Sequence, residues 1–171
     1  KLKKINFGIF TNLYNDGRKE EDYFFNSFIN QDPHFFKLSI IGKGWKKYVT
    51  AFKEKKIEID FQRFFFRKLY LNSMRNLDYL IYLGNDEGSM SFLDAIQLGI
   101  KTIMIPQGFQ SDLQKFITHK VDKTLKNFPN IISNIIREKQ KFTKIKKRLN
   151  WENYALQHCE IWKNLTISTK N

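Results

Sequence analysis

Cysteine is nearly absent from this 171-residue chain, in which Cys159 stands alone. One thiol excludes an internal disulfide framework and suits a reducing compartment, and its place in an amphipathic stretch predicts a small buried filler rather than a nucleophile. Long apolar runs are also missing. No segment approaches the roughly 20 residues that a membrane-spanning helix requires, and no secretory leader is recognisable, so the expected location is the cytoplasm. The three histidines, His34, His119 and His158, lie far apart, and H-E-x-x-H, CxxC and Walker A patterns are lacking, so no metal site is expected. Acidic residues are scarce, with 17 Asp+Glu against 30 Lys+Arg and a net charge of +13. Such an excess fits nucleic acid, an anionic membrane surface or a phosphorylated ligand, and the heavy use of Lys, Asn, Ile and Phe equally suits the codon bias of a low-GC bacterial genome. No RNA or DNA motif accompanies the charge, so nucleic acid is not the expected partner.

What is present is a regular alternation. Apolar stretches of strand length occur at Ile5 to Phe10, Phe36 to Ile41, Ile57 to Ile59, Asp78 to Leu83 and Ile100 to Ile105, each bounded by polar, Gly or Pro punctuation. Helix-like segments fall between them, at Glu20 to Asn30, Lys46 to Lys53, Phe64 to Arg75 and Ser89 to Leu98. This β-α alternation predicts an α/β fold, an open, mostly parallel, Rossmann-like sheet with helices on both faces. After the fifth strand the pattern changes: Pro106-Gln107-Gly108 makes a turn, Pro129 to Arg148 reads as a long basic helix, and Asn150 is placed to cap a last helix from Trp151 to about Leu165. The length suits one domain, residues 1–171. Because the chain begins at Lys1 and enters its first strand almost at once, it is expected to be a piece of a longer protein.

The segment richest in chemistry reads strand, acidic turn, helix, stop: Leu77 to Leu83, Gly84 to Ser91, Phe92 to Leu98 and Gly99. In an open parallel sheet such a turn falls at the carboxyl end of a strand, where ligands bind. Gly88 would let a ligand approach the backbone, and the free N–H groups of Ser89, Met90 and Ser91 at a helix start would attract phosphate. Ser91 and Asp94 share a helix face, so Asp94 could accept hydrogen bonds from ribose hydroxyls beside that phosphate, while Asp86 could take the hydroxyls of a sugar. Singly, each of these residues also fits a solvated turn, a helix cap or a surface position. Together they make a coherent nucleotide-diphosphate site.

This stretch resembles the donor-binding, carboxy-terminal domain of GT-B glycosyltransferases, and in particular retaining glycosyltransferase family four. That family has an acid, a glycine-rich turn and a second acid eight positions on, then a helix, a glycine and an apolar strand. Here the acids are Asp86 and Asp94 in place of the usual Glu, and Gly88 is displaced from the commonest glycine spacing. Ile5 to Phe10, the loop through Gly17-Arg18-Lys19 and the segment Phe36 to Gly44 resemble the family's opening strand, basic loop and Ile-Gly-x-Gly motif. Trp151-Glu152-Asn153-Tyr154-Ala155 is similar to the opening of its closing helix, which crosses back to the amino-terminal domain. The resemblance implies that Arg18 or Lys19 holds the donor diphosphate and that Pro106-Gln107-Gly108-Phe109 borders it. It also implies a metal-independent enzyme that needs no cofactor beyond its nucleotide-diphosphate-sugar donor. The acceptor would be a polysaccharide or a lipid-linked molecule, bound by an amino-terminal GT-B domain of the same protein, so the present chain alone would be inactive.

A different class stays open, a standalone module that binds nucleotides or phosphosugars without catalysis. The basic run Lys141 to Arg148 reads as a solvated helix face that could also touch anionic lipid at the inner face of the membrane. The sugar, the nucleotide base, the acceptor, the stereochemical outcome and the oligomeric state are not legible in the sequence.

Overall fold

In the computed structural model, which describes residues 3–148 and 151–168, six strands form one all-parallel sheet in the order β3-β2-β1-β4-β5-β6. The strands are β1 (Ile5–Phe10), β2 (Phe36–Ile41), β3 (Glu58–Gln62), β4 (Tyr79–Tyr82), β5 (Lys101–Met104) and the two-residue β6 (His119–Lys120). Four helices alternate with them: α1 (Glu21–Ile29), α2 (Lys46–Glu54), α3 (Arg67–Arg75) and α4 (Ser91–Gln97). A short α5 (Phe109–Asp112), then α6 (Phe128–Arg148) and α7 (Trp151–Ser168), complete the chain. The α/β, Rossmann-like expectation holds, and the sheet is parallel throughout the described residues.

The period-two pattern of the strands explains the two apolar layers. Phe7 and Ile9 of β1, with Leu38, Ile40, Ile81 and Ile103, face a core with Phe24 and Phe28 of α1, Val49 and Phe52 of α2 and the start of α6 through Phe128 and Ile132. Phe10, Ile41, Leu80, Tyr82 and Met104 point the other way, to Tyr70 and Met74 of α3 and Phe92 and Ala95 of α4. Within the first layer the aromatic rings cluster: Phe28 lies 5.1 Å from Phe7, 5.0 Å from Phe24 and 5.4 Å from Phe36, ring centre to ring centre.

Several elements differ from the expected ones. The β3 strand runs over Glu58–Gln62 rather than Ile57 to Ile59 because it pairs along its length with β2, Lys37 opposite Glu58 through Ile41 opposite Gln62. That pairing draws polar residues into an edge strand that apolar spacing alone would end early. The α3 helix starts at Arg67, so Phe64, Phe65 and Phe66 belong to the preceding loop. The alternation also continues one step further than expected, since β6 follows β5.

The chain divides into two compact units, Lys1–Ile136 and Arg137–Asn171. The first holds the sheet. In the second, one face of α7 carries a ladder of rings, with Trp151 5.6 Å from Tyr154 and Tyr154 4.3 Å from His158. Cys159 corrects an expectation, for it is exposed rather than a buried filler: the large apolar side chains of α7, Trp151, Tyr154, Leu156, Ile161 and Trp162, are exposed as well, so the described part of the helix has no core for a thiol to fill. The proposed cap Asn150 and the side chain of Leu165 lie outside the described residues. No helix among the described residues is long and apolar enough to cross a membrane.

Candidate functional site

The strand order reverses between β1 and β4, whose connections leave in opposite directions and open a crevice at the carboxyl ends of the strands. The loop after β1 is drawn into this crevice by its own backbone. The Arg18 carbonyl accepts the Asn85 N–H at 2.7 Å, and Glu20 takes a left-handed conformation, φ 54, as the chain turns into α1. That turn directs Lys19 inward. Its ammonium donates to the Tyr82 hydroxyl at 2.7 Å and to Asp86 Oδ2, while Tyr82 donates to Asp86 Oδ1 at 2.5 Å and the Gly88 N–H reaches the same oxygen at 3.1 Å. The pair is well shielded, with 9% of the Lys19 side chain and 12% of the Asp86 side chain exposed.

Burial alone would push the Asp86 carboxyl up, but the Lys19 ammonium, the Tyr82 hydroxyl and the Gly88 amide outweigh it and hold the group below the usual carboxylate range. Burial, reinforced by the neighbouring Asp86 charge, pushes the Tyr82 phenol upward, so it stays a donor at neutral pH. A carboxyl depressed in the folded state stabilises that state above its unfolded value, near pH ~4, and loses the contribution as the pH falls through its folded value. Stability should therefore decline below about pH 4, and urea midpoints at neutral and acid pH should differ less in an Asp86→Asn variant than in the parent. An identical acid response in both would show that Asp86 is not a source of the decline.

Arg18 is placed differently from its neighbour. Its guanidinium pairs with Asp16 at 2.6 Å and lies over the Tyr14 ring at 4.9 Å, exposed on the rim of the loop. Of the two cations that the sequence offered, only Lys19 joins Asp86.

The turn after β4 departs from expectation in one respect. The α4 helix begins at Ser91 rather than Ser89 and has seven residues. Its entry is a tight turn, in which Phe92 N–H reaches the Ser89 carbonyl at 2.9 Å and Leu93 N–H the Met90 carbonyl at 3.1 Å. So short a helix has a small dipole, and any attraction for an anion rests on the local amides of Ser89, Met90 and Ser91. Asp94 is half-buried and turned towards α3, accepting the Tyr70 hydroxyl at 2.5 Å. Burial, then the Asp94 carboxylate, pushes the Tyr70 phenol up. The two acids thus sit in separate networks, Asp86 with Lys19 and Tyr82, Asp94 with Tyr70.

Sequence reasoning missed both tyrosines. Tyr82 had a signal, a hydroxyl at the last position of the strand at the switch point; Tyr70 looked like any apolar helix position.

Two further loops frame the crevice. The loop after β2 locks onto the loop after β1: Leu13 N–H reaches the Lys43 carbonyl at 2.9 Å, Lys43 N–H reaches Asn12 Oδ1 at 2.8 Å, and the Trp45 indole donates to the Thr11 carbonyl at 2.8 Å. Gly42 makes this approach possible, for a Cβ there would overlap the Thr11 carbonyl oxygen. The loop after β5 packs on the Asp86 turn in the same manner, with Phe109 N–H on the Glu87 carbonyl at 3.2 Å, the Gln107 carboxamide on the Gly84 carbonyl, and Gly108 where a Cβ would overlap Glu87. Among the described residues no three His, Cys, Asp or Glu side chains cluster as metal ligands.

No protein-family model and no curated protein sequence matches the chain. Solved structures do share its fold. The chain superposes on Anabaena HepE in complex with UDP-glucose with a TM-score of 0.56 at 16% identity, covering 81% of this chain and 40% of that one. TarM of S. aureus, in a complex that contains UDP, gives 0.60 at 11% identity over 95% of this chain and 35% of its own. The C-terminal domain of the Francisella tularensis glycosyl transferase LpcC gives 0.55 at 18% identity and is covered to 79%, as is this chain. The chain spans about two fifths of the HepE length that it matches. What is shared at these identities is the fold alone, a Rossmann-like domain.

Proposed function

We propose that this chain is the donor-binding domain of a GT-B glycosyltransferase, of the retaining family-four kind, and that it binds a nucleotide-diphosphate sugar in the crevice between β1 and β4. The observation that carries the reading is the meeting of Lys19 and Asp86, delivered by separate loops to the topological switch point. Support also comes from the fold shared with glycosyltransferases, among them HepE in complex with UDP-glucose.

In this reading Lys19 and the amides of Ser89 to Ser91 hold the diphosphate, Asp94 takes the ribose hydroxyls and Asp86 the sugar. Arg18 contributes charge from the rim. Transfer breaks the bond between the anomeric carbon and the diphosphate oxygen and forms one from that carbon to an acceptor hydroxyl oxygen, whose proton passes to the departing diphosphate as negative charge grows there. Lys19 stabilises that charge without a metal, which is electrostatic catalysis by a preorganised cation. A diphosphate competes with Asp86 for Lys19, and the exchange frees the carboxylate for the sugar. The acceptor, a polysaccharide or lipid-linked molecule, is held by an amino-terminal domain of the same protein at the cytoplasmic side of the membrane. Without that domain the chain binds donor and turns over little or none.

Calorimetric titration with UDP, GDP, CDP and ADP tests the reading. One nucleotide, with UDP first in expectation, should bind, and Asp94→Ala should weaken it by about tenfold, the loss of a hydrogen bond to a charged acceptor. Failure of all four to bind would sink the proposal and leave only the fold.

A further inference from the structure

At the carboxyl ends of the edge strand β3 and its neighbour β2, the surface carries a patch that the crevice does not use. The loop after β3 holds Phe64, Phe65 and Phe66 in succession, exposed at 49%, 60% and 59%, and Leu69 extends the patch onto α3. Single exposed phenyls are ordinary on protein surfaces; four adjoining large apolar side chains are not. Their setting is cationic. Arg63 precedes the three rings and Arg67 and Lys68 follow them, all exposed, while Lys43, Lys46 and Lys47 are exposed in and just after the neighbouring loop of β2. Because β2 and β3 run parallel, both loops emerge at the same end of the sheet.

The Arg63 guanidinium lies 5.2 Å and the Lys43 ammonium 5.9 Å from the Phe64 ring centre, which ties the two loops together through cation-π contact. Phe65 packs at 4.7 Å on Tyr70, so the rings are held to α3. No acidic residue occurs from Pro33 to Lys53 or from Phe61 to Leu77.

We infer that the Phe64–Phe66 loop and its ring of six cations form an anchor that seats this chain on an anionic lipid surface. The chemistry is complementary at both levels. Phenyl rings enter the headgroup and acyl boundary, and lysine and arginine stay above it against lipid phosphate. Neither signal suffices alone, since apolar insertion of a few side chains is reversible and surface charge is screened beyond a Debye length of about 8 Å in physiological salt. Here the two coincide on one loop pair, in a chain of net charge +13. The anchor uses none of the residues of the basic run Lys141 to Arg148, and it holds whichever ligand fills the crevice.

Flotation of the chain with vesicles of phosphatidylcholine alone, or of phosphatidylcholine and phosphatidylglycerol in equal parts, provides the test. The chain should float with the mixed vesicles and not with the zwitterionic ones, and added salt should weaken it. Phe64→Ser with Phe66→Ser should lower the vesicle partition by on the order of tenfold for each ring withdrawn. Arg67→Gln with Lys68→Gln should lower it about fivefold per cation. All four positions are exposed, so a circular dichroism melt should match the parent. Nucleotide titration of the Phe variant separates this inference from the proposed function: vesicle loss with unchanged nucleotide affinity supports the anchor. Vesicle binding that survives the Phe substitutions overturns it. So does flotation failure of the parent, or binding to a single-stranded oligonucleotide that excludes vesicles.

Discussion

Lys19→Met should destabilise the chain by about 3 to 5 kcal/mol, the cost of stranding the partner of a buried ion pair. That is a large share of the ~5 to 15 kcal/mol by which domains of this size are stable. The size follows from shielding: with roughly nine-tenths of both side chains out of water, Asp86 would keep only the Tyr82 hydroxyl and the Gly88 amide against its charge. Asp86 can relieve the variant by taking a proton, so its carboxyl should rise from below to above the ordinary range. The loss should then be smaller at pH 5 than at pH 8, opposite in direction to the acid decline of the parent. Urea unfolding at the two pH values reads this directly. Lys19→Met with Asp86→Leu should recover much of the stability, because an apolar pair of similar volume carries no desolvation cost. A single-variant loss below about 1 kcal/mol would mean that the pair behaves as a solvated surface bridge.

Phe28→Ala should cost about 3 to 5 kcal/mol by a different route, the removal of a fully buried ring together with the cavity left behind. Phe28 is the hub of the aromatic layer. It touches Phe7 of β1, Phe24 of its own helix and Phe36 of β2, with Phe128 of α6 at 6.5 Å. Four elements therefore lose a shared contact, and no single neighbour can move in without leaving another. The unfolding midpoint should fall with little change in the slope against denaturant. Phe28→Leu should retain a good part of what Ala loses. If both variants match the parent, the aromatic layer is looser than its ring geometry indicates.

The sheet was legible because its central strands are short apolar-rich stretches bounded by polar and glycine punctuation, and β1 and β2 are found at the expected residues, Ile5 to Phe10 and Phe36 to Ile41. Edge strands were harder. β3 is half-polar, Glu-Ile-Asp-Phe-Gln, and β6 is two residues long; both exist through pairing with a neighbour, which no local window contains.

At the site, spacing located the turn but not the partners. Asp86 and Asp94 are eight apart and look equivalent, yet Asp86 faces the crevice under Lys19 while Asp94 turns to Tyr70 on α3. Lys19 and Arg18 are adjacent and equally basic, yet a left-handed Glu20 sends one inward and leaves the other with Asp16. Differences of this kind are set by tertiary contact over tens of residues, where residue type and periodicity carry no information.

The glycines that allow the crevice loops to touch have a consequence for how this protein can change over evolutionary time. At Gly42 and Gly108 the space that a side chain would occupy already belongs to the main chain of a neighbouring loop, the carbonyls of Thr11 and Glu87. A carbonyl cannot swing aside as a side chain can. Drift at either position is thus coupled to the backbone path of another segment, and a homologue that has lost one of these glycines should also differ in the length or course of the loop it once touched.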